Sequence, residues 1–181
     1  MNYSIYTIIL VSLSTITSNV VLAFDLHEQD ELTLLTGKLS LDEFKDANDF
    51  NHGGINLQQG DNQLSSITQQ GQEHRAITAQ VGYLNELSIL QKGQMHFVIN
   101  QQTGSENYIL MQQQGSQHWA MIIQNGDLNM ADIEQSGTSH LALIEQFGDN
   151  NQAKISQEGR HLDAEIKQYG NNLTVSVSQT N

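Results

Sequence analysis

From Gln58 onward, polar and apolar positions recur every eleven residues without an insertion or deletion. With that glutamine as position 0, position 7 is small or apolar in nearly every unit: Ser65, Ala76, Leu87, Val98, Ile109, Ala120, Ala131, Ala142, Ala153, Ala164 and Val175. Position 9 is mostly isoleucine, as in Ile67, Ile89, Ile122, Ile133, Ile144, Ile155 and Ile166. Position 11 is the next glutamine. Positions 5, 7, 9 and 11 are two apart, the period of a strand with one face turned inward. Between them, position 2 is glycine throughout: Gly60, Gly71, Gly82, Gly93, Gly104, Gly115, Gly126, Gly137, Gly148, Gly159 and Gly170. Gln-x-Gly-x-x reads as a turn, with glycine taking a backbone angle that other residues resist. Each unit is then a strand of about seven residues and a tight turn. Eleven residues is also three helical turns, but a glycine in each unit costs about 1 kcal/mol in a helix interior, so the strand wins.

Position 5 doubles the period. It carries Asn85, Asn107, Asn129 and Asn151 in odd units and His74, His96, His118 and His140 in even ones. The repeating object is therefore a coil of 22 residues with two strands. Like residues stack on like at about 4.8 Å, the cross-β spacing. The expected fold is all-β: an amyloid-like β-solenoid of about five and a half coils, with two parallel sheets facing across a thin core of Ala and Ile. Amides at the corners are tolerable inside such a stack, because each bonds its equivalent one coil above and below. The expected ladder and templating residues are Gln58, Gln69, Gln80, Gln91, Gln102, Gln113, Gln124, Gln135, Gln146, Gln157 and Gln168, with the four asparagines above.

Composition agrees with that plan. Proline is absent from all 181 residues, as a chain of ladder-forming strands requires. Cysteine is absent too, which removes disulfides, thiol nucleophiles and cysteine-ligated metals. Only 7 Lys+Arg face 20 Asp+Glu, a balance that opposes binding to nucleic acid or to an anionic membrane by charge.

The array does not fill the chain. Residues 1–23, MNYSIYTIILVSLSTITSNVVLA, are apolar and uncharged and predict a secretory signal cleaved after Ala23. No Lys or Arg opens the stretch; a transmembrane anchor is the weaker reading, since Ser and Thr interrupt it and no basic flank follows. Residues 24–54 carry eight acidic against two basic side chains and are expected to be irregular and flexible. A short helix over 33–47 is the most that segment allows. Residues 55–181 hold the array.

QNGDLNMADIEQ (Gln124–Gln135) and QFGDNNQAKISQ (Gln146–Gln157) resemble, almost letter for letter, the curlin repeat Gln-x-Gly-x-x-Asn-x-Ala-x-x-x-Gln. The resemblance runs from Gln58 to Gln179. It implies a non-enzymatic, cofactor-free subunit of curli, the extracellular amyloid fibres of bacterial surfaces that serve adhesion and biofilm matrix. It also implies export through a dedicated outer-membrane pore, surface assembly factors and self-assembly into fibres attached outside the cell. Of the two subunit types, the chain is more similar to the minor one, which nucleates the major curlin. Leu, Met, Ile, Phe, Tyr and Trp stand where the major type carries Gly, Ser, Asn and Asp. The pattern departs at Leu162 and Leu173, which displace His and Asn at position 5, with Asp163, Glu165 and Lys167 nearby. The major fibre-former is the alternative reading.

Two further features call for weighing. On the outward face of the even units, Ile77, Phe97, Ile99, Trp119, Met121, Ile123, Leu141 and Leu143 form an apolar stripe. An exposed stripe of this size predicts an interface with another filament, a surface factor or the outer membrane; the rival is that residues 24–54 fold back over it. The histidine column invites a metal, but a column offers one imidazole per coil rather than converging ligands. Stacked hydrogen bonding is the expected role, and protonated imidazoles 4.8 Å apart would repel, so assembly should weaken as pH falls through the histidine range. No acid–base dyad, nucleophile triad or phosphate loop stands out, so no catalytic residue is expected. A monomeric solenoid that binds ice or carbohydrate remains a second class, although Thr68, Thr78, Thr103, Thr138 and Thr174 share no common column.

Overall fold

The structure, a computed structural model, describes residues 9–12, 21–24, 33–35 and 52–181. The chain divides into two units, residues 1–48 and 49–181. In the first, β1 (Ile9–Ser12), β2 (Val21–Phe24) and β3 (Thr33–Leu35) form an antiparallel sheet in chain order. Residues 33–35 are thus a strand where a short helix is the sequence expectation, and Val21–Leu22–Ala23 of β2 is the edge that pairs with them. The expected signal over 1–23 and the expected flexible segment over 24–54 fall mostly outside the described residues, but residues 52–54 of the latter belong to the first strand of the second unit.

The second unit is the solenoid. The strands are β4 (His52–Asp61), β5 (Leu64–Gln72), β6 (His74–Tyr83), β7 (Glu86–Gln94), β8 (Phe97–Ser105) and β9 (Tyr108–Ser116). They continue as β10 (Trp119–Asn125), β11 (Met130–Thr138), β12 (Leu141–Phe147), β13 (Gln152–Arg160), β14 (Asp163–Tyr169) and β15 (Thr174–Thr180). Even-numbered strands make one parallel sheet of six and odd-numbered strands the other. Pairing holds the 22-residue offset at every junction: Ala120 faces Ala142, Ile122 faces Ile144, and Gln124 faces Gln146. The coils number six rather than five and a half, because β4 begins at His52, in register with His74.

Strand alternation sorts the side chains. Positions 7 and 9 meet between the sheets, where Leu87, Ile89, Ile109, Met111, Ile122, Ile133, Ile144 and Ile155 are fully buried. Each such side chain contributes roughly 1.5–3 kcal/mol. The core carries polar groups at one end of one column: Asn56, Thr78 and Asn100 take position 9 of β4, β6 and β8, where β10 has Ile122.

Two residues bend each turn. The position-2 glycines have φ between 112° and 132°, a region that no other residue occupies cheaply. A Cβ on Gly82 would overlap the carbonyl oxygen of Gly104 in the next coil. Position 4 is left-handed as well, at φ 54° to 59°, and there the residue is never glycine: Leu84, Met95 and Leu128 are among the eleven. Turn N–H groups are satisfied between coils. The position-4 N–H donates to the position-3 carbonyl of the coil before, as Leu84 does to Asp61 at 3.2 Å. The position-6 N–H donates to the position-5 carbonyl of the coil after, as Arg75 does to His96 at 2.8 Å.

Candidate functional site

The corners of the solenoid hold its polar machinery. In the even sheet the side-chain amide of Gln58 donates to Oε1 of Gln80 at 2.6 Å, and Gln80, Gln102, Gln124 and Gln146 continue the chain to Gln168. In the odd sheet Gln69 starts a second ladder through Gln91, Gln113, Gln135 and Gln157 to Gln179. Every step lies between 2.6 and 3.1 Å, and every amide donates in the same direction, toward the C-terminal coil. The second amide hydrogen crosses the core to a backbone carbonyl of the opposite sheet, as from Gln124 to Tyr108 at 3.2 Å and from Gln146 to Met130 at 3.0 Å. Buried glutamines such as Gln124 and Gln146 are thereby satisfied on both hydrogens. Bonds aligned head to tail also polarise one another, which strengthens the column.

Position 5 works differently from the expected asparagine ladder. Only Asn107 bonds amide to amide, donating to Asn85 Oδ1 at 3.1 Å. The general pattern is to backbone. Asn85, Asn107, Asn129 and Asn151 each donate Nδ2–H to the carbonyl of the turn glycine one coil on: Gly104, Gly126, Gly148 and Gly170, at 2.7–2.8 Å. The Oδ1 atoms accept the position-5 N–H of the next coil, as Asn107 does from Asn129 at 3.0 Å. Asparagine is a clamp between turns because its short amide reaches the backbone before it reaches its neighbour.

Histidine fills the same role with one nitrogen on each side. Nε2 of His74, His96, His118 and His140 lies 3.0 Å from the carbonyl four residues back in its own turn, and a carbonyl only accepts, so Nε2 carries the proton. Nδ1 of His96, His118 and His140 accepts the N–H of His118, His140 and Leu162 at 3.2–3.3 Å. The rings stack with centroids 4.8–4.9 Å apart and planes within 5°. Both nitrogens of these three rings are committed to backbone, which leaves no lone pair for a metal. Burial, ahead of any effect of neighbouring imidazoles, pushes His118 down to about 4 and lowers His96; the carbonyl bond of each opposes the shift. Desolvation is therefore the chief force holding these two rings neutral, where the sequence suggested repulsion.

The outward stripe is less open than strand alternation implies. Ile77, Ile99 and Met121 occupy one column in mid-strand, each between like neighbours of adjacent coils, and are only 7, 6 and 4% exposed. Phe97, Trp119, Ile123 and Leu143 are half-buried, and Leu141 is 39% exposed. Phe97 and Trp119 are in contact, their ring centroids 6.4 Å apart. The opposite outer face carries Lys154 between Asp132 and Glu134, at 2.8 and 3.1 Å.

One ladder escaped the sequence reading. Asp127, Asp149 and Asn171 at position 3 accept, through Oδ1, the backbone N–H of Ser105, Asp127 and Asp149 one coil earlier, at 2.7–3.0 Å. Their 22-residue spacing was the available signal.

Six coils of paired strands, laddered at both corners and clamped between turns by asparagine and histidine, define a parallel β-solenoid of the cross-β kind. Residues 104–137, 129–159 and 148–180 of this solenoid match the family model of the curlin associated repeat. The match supports a structural subunit of the curli type. No curated protein matches the chain.

Proposed function

We propose that the chain is a secreted subunit of curli-type extracellular amyloid fibres, and that it is the minor subunit, which nucleates the major curlin at the cell surface. The observation that carries this reading is the unbroken pair of glutamine ladders, which open at Gln58 and Gln69 onto a strand edge at β4 and β5. An edge of unpaired backbone groups is a template for another chain, and monomeric proteins normally block it with proline, charge or a covering element. Here the first coil keeps Asn56 and Gln58 exposed, while Thr78 and Gln80 directly after them are buried. The minor role is favoured by apolar residues at outward positions, such as Phe97, Trp119 and Leu143, and by the altered last coil at Leu162 and Leu173. Residues 1–23 would serve export, and residues 24–54 passage through the secretion pore.

Seeding tests the proposal. Residues 24–181 are released from denaturant, and thioflavin T fluorescence is followed with and without unpolymerised major curlin of the same organism. A nucleator abolishes the partner's lag at sub-stoichiometric amounts. Long fibres from this chain alone, with little effect on the partner, would assign it to the major type. A soluble monomer that does neither would sink the fibre reading.

A further inference from the structure

We infer that this solenoid joins other chains with one polarity: its β4/β5 edge accepts a coil whose position 5 carries Asn or His, and its β14/β15 edge stops extension. The inference rests on the fibre-subunit reading and adds a direction to it.

The bonds between coils are not symmetric. From Asn85 and His96 onward, the earlier coil of each junction supplies three things to the later one. Its position-5 side chain accepts the position-5 N–H, as His118 does from His140 and Asn129 from Asn151. Its asparagine amide caps the glycine carbonyl, as Asn151 does for Gly170. Its glutamine amide reaches the next Oε1, as Gln146 does for Gln168. The last acceptors in the chain are His140 and Asn151, which take the N–H groups of Leu162 and Leu173. Those two leucines are themselves position 5 of the final coil. A seventh coil laid on β14 and β15 would meet methyl groups where two acceptors and one amide donor are required. Two N–H groups and one glycine carbonyl would lose water and gain no partner, each unmade bond costing roughly tenfold in affinity. Asp163, Glu165 and Lys167 place three exposed charges on the outer face of the same strand.

The β4/β5 edge is equipped differently. Gln58 and Gln69 spend their amide hydrogens inward, on Gln80 and on Gly53 and Gln91, and so turn Oε1 acceptors to the incoming side. The Gly60 carbonyl and the Gln63 N–H complete the set that an Asn- or His-capped coil satisfies. Reversed docking, β4/β5 against β4/β5, would oppose acceptor to acceptor. Head-to-tail stacking of two copies of this chain brings Leu162 and Leu173 to the junction and leaves the clamps unmade. The favoured occupant is therefore a different chain of the same repeat, whose last coil keeps its position-5 amide or imidazole.

The test restores the clamps. The full chain is compared with Leu162→His/Leu173→Asn, following self-assembly by thioflavin T and fibre length by electron microscopy. Both leucines lie near the surface, Leu173 at 38% exposure, so the exchange disturbs little packing. Leu162→Asn/Leu173→Asn supplies the same acceptors if the first pair folds poorly by circular dichroism. The expected result is a lag at least tenfold shorter and longer fibres, both lost again when Gln58→Lys/Gln69→Lys is added. Equal lags, with fibres from every chain, would overturn the polarity and leave the fibre subunit standing. No fibres from any of them would remove the fibre reading and the inference with it.

Discussion

His118 lies flat against His96, ring centroids 4.9 Å apart and planes parallel, and gives its backbone N–H to the Nδ1 of that neighbour at 3.3 Å. Protonation of His96 would put a hydrogen where that N–H must find a lone pair. The folded state therefore holds His96 and His118 neutral.

Acid should consequently weaken the solenoid. A histidine in the unfolded chain takes up a proton as pH falls below about 6.5, whereas His118 in the fold resists until about 4. The unfolded state binds more protons across that window, so stability is full above pH 6.5, declines between about 6.5 and 4, and levels off below. Denaturation midpoints measured from pH 8 to 3.5 should show the decline. His118→Asn, which keeps an acceptor without the titration, should make the curve shallower. An unchanged curve for that variant would sink the assignment.

Gly126→Ala should be among the most damaging single changes. Its φ is 128°, and an added Cβ would overlap the Gly148 carbonyl of the next coil. Backbone strain and the clash together should cost about 3 kcal/mol or more. Gly170→Ala is the control: the same strain applies at φ 132°, but the Cβ would meet only Leu173 Cδ1, at 3.7 Å. Equal loss in the two variants would mean that close approach between coils is not what fixes the glycine.

Asn100→Ile should stabilise the fold. Asn100 is 3% exposed, and neither its Oδ1 nor its Nδ2 has a hydrogen-bond partner. The next coil carries Ile122 at the same position. Removing two orphaned groups and extending the isoleucine column should gain about 1–3 kcal/mol, read as a higher denaturation midpoint. A lower midpoint would show that the amide has a partner in solution, such as a buried water.

The strand pairing and the core were legible because one constraint fixes both. Ala120, Ala142 and Ala164 can align only at a 22-residue offset, and the His–Asn alternation excludes an offset of eleven. The start of the array was harder to see. Gly53 and Gly54 read as a break, and Ala47 stands where the preceding corner glutamine belongs, yet His52 pairs with His74. Asparagine's preference for backbone over its own column is a matter of reach, which spacing does not carry. Alternation likewise assigned Ile99 and Met121 to an outward face but not their exposure, because exposure depends on what surrounds a residue in three dimensions.

Position 4 was the larger omission, and it leads to the last prediction. The turn seemed to need its unusual angle only at glycine, whereas Leu128 holds φ 59° with its side chain 53% exposed. A leucine there has little burial to offset a left-handed backbone that costs about 1–2 kcal/mol. Asn150 and Asn172 occupy the same position in later coils, and Asn150 donates to Asn172 Oδ1 at 2.6 Å. Leu128→Asn relieves strain, because asparagine tolerates this region, and sets an amide beside Asn150 in the next coil. The variant should be more stable by about 1 kcal/mol, with an earlier onset of assembly if the turn forms before the strands pair. A destabilised variant would mean that Leu128 packs against a partner chain in the assembled state, and comparing the change in isolated and assembled protein would separate the two.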